Sequence, residues 1–415
     1  MKDGIVNDTL LREFYESLDP RSRASLDAAT DRVVEVKKRG GKIAVVTGSG
    51  PNIHEGVTTL IAELMDKGIV DGVTTSSAVV GHEMAGALDV VKMCNATEVG
   101  MDEAFMPRGN VFEFTQMSEG DLAAIRAEMV LDDDLIGRGK SAKGHFVLKA
   151  AGNMAYPMGL RNETIAEEIL SVARMLGLPF ETVAGWGCDR RTMLGIGAEK
   201  GLPVLVTIPQ MIGGGAIGIA IGDSISVGER SLRVARMLGE ADIIIESAVA
   251  LTQEIHDGPF ETYTGHGIWS HWKGLGTYSL KDKTLIRIDL DENLRKAQDI
   301  QKESKLIQEA IDKGLPKTKI ARIPFRMEMS AFARHEGSLP IIGDIGRIWP
   351  VLAARAAERL GIALEFMSYS QETDEGRAMR DWIVENVTIL DRSKIRARAE
   401  EYSRLRIRSS ASGAR

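Results

Sequence analysis

The sequence predicts an α/β fold, a Rossmann-like parallel sheet flanked by helices, and three observations carry that expectation. Short apolar runs of buried-strand length recur along the chain, glycine-rich turns follow several of them, and the turns lead into segments with helical apolar spacing. Strand, turn, helix, strand is the rhythm of parallel pairing, because parallel neighbours need a long crossover. Residues 8–38 carry apolar positions at helical spacing, closed by Gly40-Gly41. The run 42–47 reads as a buried strand ending in the turn 48–56, followed by a helix over 57–67 and a short strand over 69–75. Ser76 to Glu83 opens another helix.

Downstream, 163–176 reads as a helix, 180–183 as a strand, 189–200 as a helix and 203–208 as a strand. A helix over 226–239 leads to a buried strand at 242–247. A strand at 285–290, a long polar helix over 292–314, a strand at 340–343 and a helix over 349–360 complete the pattern. Neither an internal repeat nor a low-complexity linker divides the chain. The expected organisation is one α/β domain over 42–362 with an insert at about 282–335, an N-terminal helical extension over 1–41 and a C-terminal helical tail over 363–415. The stretch 132–162, with Asp132-Asp133-Asp134 and glycines at 137, 139, 144, 152 and 159, reads as a long irregular loop of the kind that carries function.

Composition narrows the classes. With 415 residues, 44% hydrophobic and 27% charged, the chain has the make-up of a soluble globular protein. A net charge of −7, with both signs interspersed, argues against a nucleic-acid partner, which needs a concentrated basic surface. The basic run from Arg392 to Arg408 is interrupted by Glu400-Glu401 and reads as a solvated or oligomer-contacting helix. Two cysteines, Cys94 and Cys188, argue against a disulfide framework. Without a signal-peptide pattern at residue 1, or any apolar run long enough to span a membrane, a cytoplasmic location is expected.

The stretch from Asp257 to Lys273 gathers unusual chemistry. Around Lys273 stand His256, His266 and His271 with Trp269 and Trp272, in a chain holding only 7 histidines and 5 tryptophans. Indole surface strips water from a lysine, disfavours its charge and frees its amine to attack a carbonyl or iminium carbon. The same residues also fit a plain glycine-rich loop with aromatic anchors.

Other candidates fall where strands end. The turn over 47–56, with Ser49 and Gly50, sits where parallel sheets bind nucleotides, although its third glycine is Gly56 and not residue 53 as the dinucleotide fingerprint requires. Thr74, Thr75, Ser76 and Ser77 offer a row of hydroxyls for ribose or phosphate oxygens, or for capping the next helix. His82-Glu83 suits proton transfer, metal binding or plain polarity at a helix start. The glycines from 213 to 222 permit either close approach to a ligand or tight packing. Asp344, just after a buried strand, suits a ribose contact or a helix N-cap.

Taken in order, these segments resemble deoxyhypusine synthase, an NAD-dependent family that moves an aminobutyl group from spermidine to a protein lysine. The resemblance runs with gaps from about residue 42 to 360. It includes Gly48 to Ile69, Thr74-Thr75-Ser76-Ser77-Ala78, Gly109-Asn110, Leu202-Pro203-Val204, Gly215 to Gly218, Asp344 to Gly346 and Trp349 to Leu352. Its most specific part is Asp257-Gly258 followed by Ser270-His271-Trp272-Lys273, which matches the family's Asp-Gly and Ser-x-x-Lys. The resemblance implies a deoxyhypusine-synthase-like NAD-binding fold and NAD as cofactor. Its implied ligands are Ser49, Gly50, Thr74, Thr75, Ser76, Asp257 and Asp344, and it makes Lys273 the imine-forming residue. It also implies a homo-tetramer with active sites shared between subunits.

The departures bear on substrate. The family's tryptophan two residues before the lysine is His271 here, its glutamate six before is Gly267, and the aspartate closing its Gly-Ser-Leu-Gly-Asp is Ile219. Losing acids that hold a polyamine leaves its ammonium groups without partners, which is costly in a buried site. The expected function is therefore NAD-dependent chemistry on a small amine or alcohol, as transferase or oxidoreductase, including aminoalkyl transfer. Lys273 is the expected nucleophile or base, and His271 or His266 the proton carrier; the added histidines point to an anionic or neutral substrate, or to new acid/base steps. His82, Glu83, His256, Trp269 and Trp272 complete the expected substrate site. Two other readings stand beside this one. His256, Asp257, His266 and His271 suit a metal-dependent lyase or hydrolase, and a non-catalytic NAD-binding protein would keep the cofactor site alone.

Overall fold

Six strands pair in parallel in one sheet: β1 (Ile43–Thr47), β2 (Gly72–Thr75), β6 (Val204–Val206), β7 (Ile243–Ser247), β8 (Thr284–Asp289) and β9 (Ser338–Ile342). Their spatial order is β6-β2-β1-β7-β8-β9. The computed structural model describes residues 6–106, 109–248, 282–290, scattered positions between 292 and 313, and 337–412. Every residue of β1, β2, β6 and β7 is buried, as expected of strands covered on both faces, whose apolar runs do not alternate.

Among the described residues the α-helices are α1 (Asp8–Ser17), α2 (Pro20–Lys38), α3 (Ser49–His54), α4 (Val57–Asp66), α5 (Ser77–Met84), α6 (Glu119–Glu128), α7 (Asp133–Ser141), α8 (Met158–Leu176) and α9 (Phe180–Gly185). They continue with α10 (Met193–Lys200), α11 (Ala216–Ser224), α12 (Val227–Glu240), α13 (Ile345–Leu360), α14 (Asp374–Asn386) and α15 (Arg392–Ser412). One apolar core joins the sheet to both ends of the chain. Leu26 and Val33 of α2, Val45, Ile245 and Ile286 of the sheet, Trp349 of α13, and Ile383 and Ile395 of the C-terminal helices belong to it. None of the helices is long and apolar enough to cross a membrane, among the described residues.

A second sheet, absent from the sequence reading, is built from β3 (Leu88–Asn95), β4 (Val111–Thr115) and β5 (Gly144–Ala150), antiparallel in the order β4-β3-β5. Its own small core holds Cys94, Phe112, Phe114, Leu122, Leu135 and Ile136. Lys92 reaches from β3 to the end of α7, where its Nζ donates to the carbonyls of Gly139, Lys140 and Ala142 at 3.1, 2.7 and 3.0 Å, satisfying groups a helix end leaves open.

Several local expectations are corrected. The helix read over 8–38 is two, because Asp19 caps a fresh start by accepting from the amides of Arg21 and Ser22, with Pro20 in the first turn. The stretch 132–162 is not a loop: α7, β5 and the start of α8 occupy it, and Gly139 serves packing, since a Cβ there would stand 2.7 Å from the Phe114 ring. Phe180 to Val183 is helical, not a strand; Phe180 and Val183 are wholly buried, and a short buried run carries no period to distinguish the two. The helix read over 189–200 begins at Met193, where Thr192 caps it. The helix read over 349–360 begins at Ile345, because Asp344 caps it. Most of 292–314 lies outside the described residues.

The sheet's outer edge at β6 is blocked. Glu181 of α9 accepts from the Val206 amide at 2.7 Å, and Arg230 of α12 donates to the Val206 carbonyl at 3.1 Å. Glu181 and Arg230 pair with each other and are 1% and 0% exposed, so the edge cannot template another strand.

Candidate functional site

Numbered by their turn in the parallel sheet, the strands run 3-2-1-4-5-6, the doubly wound order of dinucleotide-binding folds. The chain leaves β1 outward through β2 to β6, then returns to β7 and leaves the other way through β8 to β9. Connections therefore part between β1 and β7, and a crevice opens beyond their carboxyl ends, where such sheets take ligands. The residues there are Gly48 after β1 with Ser49 and Gly50 opening α3, where the sequence reads as a turn, Thr74 to Ser76 at the end of β2, Thr207 after β6, Ser247-Ala248 at the end of β7, and Asp344 after β9.

Asn52 of α3 fixes the crevice floor. Its Nδ2 donates to the carbonyls of Gly48 at 2.7 Å and Ser247 at 3.1 Å, and its Oδ1 accepts from the Ser247 hydroxyl. Ser247 Oγ in turn accepts from Trp349 Nε1 at 2.8 Å. One fully buried amide thus ties β1 to β7 where the order reverses, and α13 braces it from outside the sheet. Ala248, the next residue, holds a left-handed φ of +48°, a conformation that costs energy for a residue with a Cβ.

Hydroxyls line the strand ends. Thr47 pairs with Ser247 in the β1–β7 register, and continuing the β1–β2 register by one residue puts Thr75 in the same row. The hydroxyls of Thr47, Thr74, Thr75 and Thr207 are buried and lack a hydrogen-bond partner among the described residues. Helix capping does not use Thr74 or Thr75, because Ser76 Oγ accepts from the Val79 amide at 3.2 Å in that role. Four buried hydroxyls with unused capacity at adjacent strand ends fit the ribose and phosphate oxygens of a dinucleotide. The acid that usually follows the second strand to hold a ribose is absent, so hydroxyls are what this chain offers there. Asp344 caps α13 by accepting from the Gly346 amide at 2.7 Å. Beside it, Glu55 accepts from the Gln371 amide at 2.7 Å, and burial pushes its carboxyl up to about 7.

A polar corner adjoins the crevice where β5 and α14 meet α3 and α5. His82 Nδ1 lies 2.6 Å from the Ala151 carbonyl, and Asn153 Nδ2 lies 3.4 Å from His82 Nε2. A carbonyl only accepts, so His82 carries its proton on Nδ1 and offers a lone pair at Nε2. Gly81 admits Asn153 to this place: a Cβ there would stand 2.7 Å from Asn153 Oδ1. His54 Nδ1 lies 3.4 Å from Arg380 Nη2. A guanidinium only donates, so His54 carries its proton on Nε2. Burial and the nearby cations Arg380 and Lys149 lower the His54 pKa to about 4, and burial lowers His82 as well, which keeps both imidazoles neutral at pH 7.

The expected residues distribute as follows. Ser49, Gly50, Thr74, Thr75, Ser76 and Asp344 come together around the crevice, and His82 stands in the adjoining corner. Glu83, expected to hold substrate, is 1% exposed and points the other way. Its oxygens accept from the Met193 and Leu194 amides at 3.1 and 3.0 Å, so it closes the start of α10 and does not face a ligand. His256, Asp257, His266, Trp269, His271, Trp272 and Lys273 lie outside the described residues. Of the glycines over 213–222, Gly214 and Gly218 serve packing: a Cβ on Gly214 would strike the Ser77 backbone at 2.8 Å, and one on Gly218 the Met211 carbonyl at 2.0 Å. Sequence reading passed over Asn52, Ser247, Trp349, His54, Asn153 and Arg380. Asn52 and His54 were within the turn already singled out, but Arg380 lies on a C-terminal helix with no motif to mark it.

Among the described residues no group of three His, Cys, Asp or Glu side chains is placed to hold a metal ion. No protein-family model matches the chain, and no curated protein matches it. Solved structures overlap it loosely. A conserved LOR/SDH protein from Methanococcus maripaludis S2 shares 12% identity at a TM-score of 0.40, over 83% of this chain and 70% of that one. AgrE, solved with ornithine and NAD+, shares 12% at a TM-score of 0.41, over 82% of this chain and 34% of its own. ArgZ, an arginine dihydrolase from the ornithine–ammonia cycle in cyanobacteria, shares 12% at a TM-score of 0.37, over 82% of this chain and 32% of its own. The chain thus spans about a third of the length of AgrE and ArgZ. None of the three is a deoxyhypusine synthase, and at these scores they carry no argument about activity, which rests on this chain's own residues.

Proposed function

We propose that the chain is an NAD-dependent enzyme acting on a small amine or alcohol, by oxidoreductase or group-transfer chemistry. The observation that carries the reading is the 3-2-1-4-5-6 strand order with buried, unpartnered hydroxyls at the point where the order reverses. The backbone of Gly48 to Gly50, the hydroxyls of Thr74 and Thr75, and Asp344 would hold the dinucleotide. When bound, it would accept hydride from a carbon bearing nitrogen or oxygen. Lys273 as nucleophile or base, His271 or His266 as proton carrier, Asp257 as a further NAD ligand, and a homo-tetramer are the remaining parts of the same reading, taken from the family resemblance.

Calorimetric titration with NAD tests it through Thr75→Val. The lost hydroxyl has no partner among the described residues, so the variant should unfold at the same or a higher urea concentration while binding NAD several-fold more weakly, on the order of 1 kcal/mol. Unchanged NAD affinity, or no NAD binding to the unmodified protein, overturns the cofactor site. Lys273→Ala should abolish turnover and leave NAD affinity intact; a fully active variant removes the lysine from the mechanism.

A further inference from the structure

Arg380 of α14 stands in the corner beside the crevice without a counter-ion. It is half-buried and makes no ion pair among the described residues; its Nε is buried and has no hydrogen-bond partner. Its Nη2 donates only to the Leu148 carbonyl and toward His54 Nδ1, both neutral acceptors. The other cation nearby, Lys149, is already spent, with its Nζ 2.7 and 2.8 Å from the two oxygens of Glu113. The nearest acids do not serve Arg380 either. Glu55 is committed to the Gln371 amide and sits close to neutral pH in its titration, and Asp381 acts on Arg380 only through its field. A guanidinium withdrawn from water without an anion is costly, and a fork of N–H groups suits a carboxylate. The other polar groups of the corner are fixed to complement such a ligand. His54 presents an Nε2–H donor, and His82, close enough for its charge to be felt at His54, presents an acceptor at Nε2.

We infer that this corner binds the carboxylate of the substrate through Arg380 and His54, and that the substrate is an amino acid or a hydroxy acid. The inference rests on the NAD-dependent reading and narrows its amine or alcohol to one carrying an acid group. The carboxylate would neutralise Arg380, and the neutral His82 would accept a hydrogen bond from the amine or hydroxyl of the same molecule in place of its long 3.4 Å contact with Asn153 Nδ2. A diamine fits poorly, because it brings two more cations beside Arg380, which has no ion pair among the described residues. Arg380 is a binding residue in this account, and the α3 and α5 histidines set the ligand's orientation.

The test is calorimetric titration of the full chain, first with NAD alone, then at saturating NAD with L-alanine, L-lactate, 1,4-diaminobutane and inorganic phosphate. The expected result is saturable binding of L-alanine or L-lactate and none of 1,4-diaminobutane. Arg380→Gln should weaken that binding at least tenfold with NAD affinity and urea midpoint unchanged, and Arg380→Lys should recover part of it. Binding of the diamine in place of the acids overturns the inference, as does equal acid binding by Arg380→Gln. Phosphate binding at Arg380 without acid binding also overturns it, and would assign the anion to the cofactor's phosphates. Failure of NAD to bind in the first titration marks failure of the underlying reading instead, and the acid titration without NAD then decides the corner by itself.

Discussion

The amide of Asn52 bears directly on whether the crevice is held together as described. Asn52→Ala removes two donated bonds, to the carbonyls of Gly48 and Ser247, and the acceptor of the Ser247 hydroxyl. Trp349 Nε1 keeps its bond to Ser247 Oγ, so the hydroxyl is not fully abandoned. At about 1 kcal/mol for each of three buried bonds lost, the variant should be destabilised by about 3 kcal/mol. With a urea m-value of about 3 kcal/mol/M that is a midpoint shift of about 1 M. Asn52→Asp sharpens the argument, because the donor is replaced by an oxygen that faces two carbonyls. At pH 8 it should be less stable than Asn52→Ala. Protonating the introduced carboxyl restores a donor, so its folded-state pKa must lie above the unfolded value of about 4. The stability it regains is fully present below that unfolded pKa and is lost as pH rises through the folded one. The assay is urea unfolding of both variants at pH 4.5 and pH 8, followed by NAD titration. Equal midpoints for Asn52→Asp and the unmodified protein at pH 8 would refute the hydrogen-bond assignment. A destabilised but fully NAD-competent Asn52→Ala would separate the pinned turn from the cofactor site.

Two further expectations concern buried charge. Burial pushes the Glu83 carboxyl up to about 7 from an ordinary 4.5, so its contribution to stability is complete below about pH 4.5 and lost as pH rises through 7. The loss should be on the order of 3 kcal/mol between those limits; Glu83→Gln should flatten that part of the pH–stability curve, and a curve of unchanged slope would show the assignment to be wrong. Glu181→Ala strands Arg230 in the core and should cost about 3–5 kcal/mol, measured by thermal unfolding, whereas replacing both residues by methionine should recover much of it. A single variant no less stable than the double would contradict that account.

The chain's own pattern determined the class of fold. Apolar runs at 42–47, 203–208, 242–247 and 285–290 are local signals, and each corresponds to a parallel strand in the structure. The same locality is why Ser49, Gly50, Thr74, Thr75 and Asp344 stood out in the sequence as candidates: each lies at or just beyond the carboxyl end of a strand, the edge at which a parallel sheet takes ligands. Tertiary structure decided the rest. Strand order depends on which way each crossover returns, and nothing within β7 says that it lies against β1 through Asn52 and Ser247. The strands β3, β4 and β5 pair residues far apart in the chain, and the glycines in and around β5, read locally, look like a loop. His82 and Glu83 are neighbours in sequence, yet one faces Ala151 in the crevice corner and the other the buried start of α10, because successive helical positions point about 100° apart. Arg380 meets His54 across 326 positions of chain, and only packing of α14 against α3 and β5 makes an isolated arginine part of a binding corner.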